Sequence, residues 1–239
     1  MEKAIRRELA GGLRAGEAEP AARAAREWFY RFGALLGLVL LAPVLVVAAL
    51  AVLVDDGWPI LYRQTRVGRR NRPFQLLKFR SMRNRAGGPV ITAASDPRIT
   101  RSGRILRKFK LDELPQLWNV VRGDMSLVGS RPEVPRYVDY SDGRWQQVLE
   151  DRPGLTDLAT LVYRNEEDLL AAAADPETYY REVLLPDKLQ LNLQYQRGRT
   201  FLSDLRLIFI TVKYSLAPGR FDASAVRKDL TEDLGGMNR

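Results

Sequence analysis

GALLGLVLLAPVLVVAALAVLV, residues 33–54, is an uncharged apolar run of 22 residues in a chain of 239. It meets the roughly 20 residues that a helix needs to cross a bilayer. Three readings compete: a cleaved signal peptide, a straight spanning helix, and a helix that bends and re-enters the same leaflet. The run starts only after Phe32 and exceeds the apolar core of a secretory signal, about 7–15 residues, which argues against the first. Pro43 stands near its middle, where proline removes a backbone hydrogen bond and clashes with the preceding turn. The arms on either side have ten and eleven residues. As helix each is about 15 Å long, half of the hydrocarbon core. Basic residues flank both ends, with Arg23, Arg26 and Arg31 before the run and Arg63, Arg66, Arg69, Arg70 and Arg72 after it. The positive-inside rule expects one basic side. A re-entrant bend at Pro43 satisfies both flanks, while a kinked span stays open because spanning helices tolerate proline.

Composition narrows the chemistry. Lys plus Arg is 38 against 29 Asp plus Glu, a formal net charge of +9, which calls for an anionic partner: nucleic acid, a membrane surface or a phosphorylated substrate. There is no Cys, hence no disulfide framework and no thiolate nucleophile. There is no His either, so Ser-His-Asp catalysis, His-based zinc sites and imidazole acid–base work are excluded. An enzyme built on this chain works with carboxylates, Lys, Tyr or a metal held by oxygen ligands.

The rest of the chain divides as follows. Residues 1–28, rich in Ala, Arg and Glu, read as a surface helix or flexible tail, and residues 29–56 as the membrane helix. Residues 57–220 read as a catalytic domain, and 221–239 as a C-terminal tail. Gly57 to Lys110 carries fifteen Lys or Arg and one acid, Asp96: a face solvated against anionic headgroups, a phosphate site, or both. LYRQTRV and FQLLKFRSM flank the turn-like GRRNRP and predict a β-hairpin. Strand alternation puts Lys78 and Arg80 on one face, either a phosphate clamp or two ordinary exposed cations. Phe201, Leu205, Ile208, Phe209 and Val212 form an apolar stripe on a C-terminal helix that faces either the core, the more usual place, or a membrane. Asp204, on that helix's polar side, reads as a solvated acid, and whether it reaches the active site stays open.

KLDELPQLWNVVRGDMSLVGSRPE, residues 110–133, sets Asp112 and Glu113 side by side where a helix is expected to begin. Pro115 fits a first turn, whose amides have no intrahelical partner, and Asp112 is a natural N-cap. Acids answering the helix dipole and nearby Arg107, Lys108 and Lys110 explain the pair structurally. A functional reading uses the same geometry. The helix N-terminus attracts phosphate and keeps a carboxylate ionised, as a nucleophile requires. A magnesium ion on the neighbouring acid would offset its repulsion from a diphosphate, and Lys78, Arg80, Arg107 and Arg131 would take the remaining charge. Without His or Cys, Asp is the attractive covalent nucleophile toward phosphorus.

These residues, with KFRSM upstream and RPGLT downstream, resemble the bacterial sugar transferases called monotopic phosphoglycosyl transferases, from about Arg26 to Ala217. The resemblance implies an α/β membrane-associated fold with a re-entrant helix hairpin broken at Pro43, a small β-hairpin and amphipathic interfacial helices. It implies transfer of a sugar 1-phosphate from a UDP-sugar to polyprenyl (undecaprenyl) phosphate, giving UMP and a polyprenyl-diphosphate-sugar, a first membrane step in a bacterial surface glycan. The family's ping-pong route would make Asp112 the nucleophile, with Glu113 and Asp112 holding Mg2+. Lys78 and Arg80 match its KFR motif, Arg131-Pro132 its Arg-Pro motif, Asp124 the acid of Gly-Asp-Met-Ser, and Arg164-Asn165 its Arg-Asn. Both flanks of the hairpin would lie on the cytoplasmic face of the inner membrane, against anionic lipid.

Departures occur at Ala42, where many members carry Ser, and at Asp157 to Leu161, where many read Gly-Trp-Ala-Gln-Val. Leu169 to Arg181 is an extra helical excursion. They leave the donor sugar open, as is the oligomeric state, a homo-oligomer included. The rival of another class is a membrane-anchored basic binding protein without catalysis. A glycosidase fits poorly, because its two carboxyl groups flank a glycosidic bond at about 5–9.5 Å. No nucleic-acid motif is present.

Overall fold

The computed structural model describes residues 20–83 and 96–228. The expectations for residues 1–19, and for 229–239 of the C-terminal tail, lie outside the described residues. The fold is mixed α/β, mostly helical with two small sheets.

Helix α1, Pro20–Leu40, runs without a break through the expected boundary at residues 28 and 29. Helix α2, Ala42–Asp56, follows after a bend of 64°. The bend centres on Leu41, and Pro43 lies in the first turn of α2. Proline has no N–H to return to the carbonyl four residues back, so the chain bends just before it. No single helix among the described residues is long and apolar enough to cross a membrane. Much of the pair's apolar surface is exposed, including Phe32, Val39, Leu40, Val47 and Val54. Its inner faces are packed. Tyr30 and Ala34 of α1 join Leu76, Leu117, Val120 and Met125, while Ala48 and Val52 of α2 join Phe79 and Leu106, with Leu111 against them.

The hairpin forms as its alternation predicts. Strand β1, Leu61–Val67, pairs antiparallel with β2, Pro73–Phe79, placing Tyr62 opposite Lys78. Helix α3, Arg101–Lys108, starts at Thr100, whose hydroxyl accepts from the Gly103 amide. Helix α4, Gln116–Arg122, follows a 3₁₀ turn over Leu111–Glu113.

Asp112 is therefore inside a turn and not the N-cap of a long helix. Pro115 cannot donate to Leu111, whose carbonyl instead accepts from Leu114 at 3.2 Å, tightening the chain into a 3₁₀ turn. Lys110 before it takes the left-handed conformation at φ 57°.

Strands β3, Ser126–Val128, and β4, Gly154–Thr156, pair in parallel. They cross so closely beyond Val128 that a Cβ on Gly154 would stand 2.2 Å from the backbone N and O of Gly129. Gly154→Ala is expected to cost about 2 kcal/mol, or roughly 4–8 °C in Tm. The comparison is thermal denaturation beside Gly219→Ala, a position where a Cβ meets nothing within 4 Å. Equal melting temperatures would mean that the strands part freely.

The second half is helical: α5 Gly143–Val148, α6 Leu158–Val162, α7 Glu166–Ala172, α8 Pro176–Tyr179, α9 Leu185–Arg197 and α10 Phe201–Leu216. Of the two faces open to the α10 stripe, the structure shows the outward one and not the core. Phe201, Leu205, Phe209 and Val212 are exposed, whereas Asp204 and Leu207 are fully buried. Of the five stripe residues only Ile208 packs on the core. Part of the expected C-terminal tail also packs there, since Val226 is buried among Leu161, Leu191 and Leu207.

Candidate active site

The turn carrying Asp112 and Glu113 opens into a cleft of about 180 Å³. Seven cations line it, Arg66, Lys78, Arg107, Lys110, Arg131, Arg164 and Lys188, against five acids, Asp112, Glu113, Glu133, Glu166 and Glu167. The surplus of two positive charges suits a dianionic ligand such as a diphosphate.

The adjacent acids have opposite environments. Glu113 is gripped on both oxygens by the Arg131 guanidinium, at 3.0 Å from Oε2 and 2.6 Å from Oε1, and Lys78 Nζ adds a third bond at 3.2 Å. Burial alone would raise its pKa, but Arg131 and Lys78 outweigh burial and hold Glu113 well below the usual carboxylate range. Asp112 is only 4% exposed, and its Oδ1 has no hydrogen-bond partner. Burial pushes its pKa up; Lys78 opposes this, while the Glu113 charge adds to it. Burial thus works against the expected ionised carboxyl, while the charges of Lys78, Lys110 and Arg107 work for it. Lys78 is likewise depressed by burial, to about 8, against the pull of Glu113.

Neighbouring elements fix these groups. Asn119 of α4 accepts from the Leu77 amide at 3.0 Å and donates to the Gln75 carbonyl at 2.8 Å, pinning the strand that bears Lys78. Asp124 lies outside the cleft and braces this link, its Oδ2 being 3.3 Å from Asn119 Nδ2. Asp157, 1% exposed, accepts from the Arg131 amide at 2.5 Å and from the Thr160 amide. It thereby ties the loop after β3 to the start of α6. The Pro132 carbonyl accepts from Arg66 at 2.9 Å.

Lys78, Arg107, Arg131 and Arg164 thus meet Asp112 and Glu113 in one cleft; Arg80 does not join them. It points to the end of α2, where it donates to the Asp56 and Gly57 carbonyls at 2.5 and 2.7 Å and pairs with the Asp56 carboxylate. The negative end of a helix dipole competes for this cation, so the expected Lys78–Arg80 clamp is not formed. Arg107 lines the cleft but pairs with Glu167 at 2.5 Å.

Sequence reasoning missed Arg66, Glu133, Glu166, Tyr180 and Lys188, which line the far wall. Tyr180 donates to Glu133 at 2.6 Å and Lys188 to Glu166 at 2.6 Å. Arg66 lies in the basic run and Tyr180, like Leu170, in the unmatched excursion, whereas Glu133, Glu166 and Lys188 carry no advance signal of their own.

Among the described residues no group of three or more acids could cage a metal. The donors nevertheless suit a hard cation that is shared with a substrate. Asp112 Oδ1 is unpartnered, and Mg2+ commonly takes one or two carboxylates together with substrate phosphates and waters.

A small mixed fold with adjacent acids in a cationic cleft defines a class of phosphate-handling protein, and the comparisons name the family. Residues 21–218 match the bacterial sugar transferase family, so the chain belongs to it. It is 50% identical over 125 residues to the UDP-glucose:undecaprenyl-phosphate glucose-1-phosphate transferase of Caulobacter vibrioides, covering 50% of this chain and 47% of that protein. The Escherichia coli protein of the same name is 34% identical over 189 residues, 75% of this chain and 37% of the relative. A UDP-N-acetylgalactosamine-undecaprenyl-phosphate N-acetylgalactosaminephosphotransferase of Aeromonas hydrophila is 31% identical over 187 residues, 75% and 41%. The chain spans less than half the length of these relatives.

Proposed function

We propose that the protein transfers a sugar 1-phosphate from a UDP-sugar to undecaprenyl phosphate, through a phosphosugar covalently held on Asp112. The observation that carries this reading is the asymmetry of the dyad. Glu113 has both oxygens committed to Arg131, while Asp112, which lines the same cationic cleft, keeps one buried oxygen unpartnered.

An Asp112 carboxylate oxygen attacks the phosphorus that bears the sugar. The bond to the bridging oxygen breaks and UMP leaves with the electron pair, so no general base is needed. A phosphate oxygen of the polyprenyl acceptor then attacks the same phosphorus and returns Asp112 as carboxylate. Lys78, Lys110, Arg107 and Arg131 neutralise the diphosphate, and Arg107 gives up Glu167 to do so. Asp112, with its unpartnered Oδ1, is the residue that would hold Mg2+, and Glu113 would join it by releasing Arg131; when bound, the ion supplies further charge neutralisation to the diphosphate.

The exposed apolar surface of α1 and α2 is far too extensive for water and favours insertion into a membrane. The 64° bend and the two basic flanks favour re-entrance, with both flanks cytoplasmic. The outward apolar stripe of α10 favours an interfacial position for that helix.

Intact-protein mass spectrometry of the full chain, with Mg2+ and with UDP-glucose, UDP-galactose and UDP-N-acetylgalactosamine, tests the reading. One phosphosugar mass together with released UMP is expected. UMP formed only when acceptor is present, with no adduct, would exclude the covalent route.

Lys78 sets a pH limit. With its pKa lowered to about 8, it loses its charge in the free enzyme above that pH, and kcat/KM for the donor is expected to fall there. Lys78→Arg should carry the plateau past pH 9. A profile that is flat through pH 9 in the wild type would remove Lys78 from donor binding.

A further inference from the structure

Asp204 is completely buried on α10, away from the cleft, yet its carboxylate is fully served. Oδ1 accepts from the Tyr195 hydroxyl at 2.6 Å and from Arg199 Nε at 2.9 Å. Oδ2 accepts from the hydroxyl of Tyr30, which lies on α1. Arg199 also donates to the Val128 carbonyl at 2.9 Å, so the cluster joins α1, α9, α10 and the end of β3. Three further polar links hold the same stretch of α1 to the domain: Arg23 to Asp151, Glu27 to Arg152, and Glu27 to Arg69 at 3.9 Å. Burying an acid is costly even when it is paired, which makes registry the natural reason for one at this position.

The hairpin is thus held in three ways: by the Asp204 cluster, by the apolar packing of Tyr30, Ala34, Leu38 and Leu41 against Leu76, Leu117 and Val120, and by the return of α2. Eleven residues beyond Tyr30, about 16 Å along the helix, α1 ends at the bend. After it, Val52 of α2 returns to Phe79 and Leu106, with Leu111 beside them and next in sequence to Asp112. The Asp204 cluster sets the direction in which α1 leaves the domain, and the α2 contact sets where the hairpin meets the reacting turn.

We propose that Asp204 is a positioning residue for the acceptor half of the reaction. By holding Tyr30 it fixes the angle and depth of the hairpin, and hence the height of Asp112 relative to a phosphate carried in a membrane. The inference rests on the functional reading above. A water-soluble donor would not sense this height, whereas a lipid-borne acceptor would.

Tyr30→Phe and Tyr195→Phe separate positioning from mere stability. Each removes one hydroxyl from the same carboxylate, but only the first cuts a link to α1. The full chain is compared in lipid nanodiscs with undecaprenyl phosphate and whichever of the three UDP-sugars gives the largest UMP burst. Both variants should keep the donor-only burst. Tyr30→Phe alone should lower kcat/KM for the acceptor about tenfold. Amide hydrogen exchange over residues 26–36 should quicken in Tyr30→Phe and not in Tyr195→Phe. Equal effects of the two variants, loss of the burst in Tyr30→Phe, or wild-type behaviour of Tyr30→Phe would each overturn the proposal. Should the wild type give no UMP with any donor, the functional reading fails, and the exchange comparison still decides whether Asp204 clamps α1.

Discussion

Asp112→Asn is expected to abolish both the covalent adduct and sugar-phosphate transfer, by roughly three orders of magnitude or more, while leaving the protein folded. The amide keeps the shape of the side chain but has no anionic oxygen to attack phosphorus. The Glu113–Arg131 fork does not involve Asp112, so the cleft persists. Because burial already raises the pKa of Asp112, replacing it with a neutral group relieves a desolvation cost. Melting temperature should therefore hold or rise slightly as activity disappears. That combination separates a nucleophile from a structural acid, whose loss would lower both. A membrane-anchored binding protein without catalysis predicts that the variant is silent in every assay. UMP release that survives in Asp112→Asn would transfer the nucleophile's role to another residue and end the covalent mechanism on Asp112.

Arg131→Met is expected to be the most damaging change at the site for the fold itself. It strips Glu113 of two charge-assisted bonds and leaves a buried carboxylate answered by Lys78 alone. Removing one member of a buried pair costs about 3–5 kcal/mol, and the lower end applies because a quarter of the Arg131 side chain remains exposed. The sign of the pH dependence follows from Glu113, whose folded pKa lies well below its unfolded value of about 4.3. Its stabilisation is present above that unfolded value and is lost as pH falls through the folded pKa. The gap between wild type and Arg131→Met, measured by urea denaturation, should be full at pH 7 and narrow progressively in acid. A gap that stayed constant down to pH 3 would mean that Arg131 acts through something other than Glu113.

Local patterns made much of this fold readable in advance. The hairpin followed from strand alternation around GRRNRP, the bend from Pro43, and the dyad from adjacent acids in a basic region. What failed had two physical causes. The far wall of the cleft is assembled from Arg66, Glu133, Tyr180 and Lys188, residues that no local period connects. Asp157 likewise stands out in the sequence only as a departure, although it holds the Arg131 amide. The second cause is an inverted environment. Periodicity arguments assume that polar faces look outward into water. Helix α10 turns Asp204 and Leu207 inward and sends Phe209 and Val212 outward, so of the two sides its phase left open the more usual one fails.

The contact between Leu111 and α2 makes the surroundings of the hairpin part of any activity measurement. A micelle that lets α2 tilt would shift the residue beside Asp112 without touching a single charged group. Preparations in different detergents would then differ in turnover while sharing the same purity, the same melting temperature and the same donor affinity. Such scatter would record how each amphiphile presses on the exposed Val47 and Val54 and, through the helix, shifts the buried Ala48 and Val52. With the hairpin inserted as proposed, the choice of solubilising medium would also be a choice of conformation for the turn that carries Asp112.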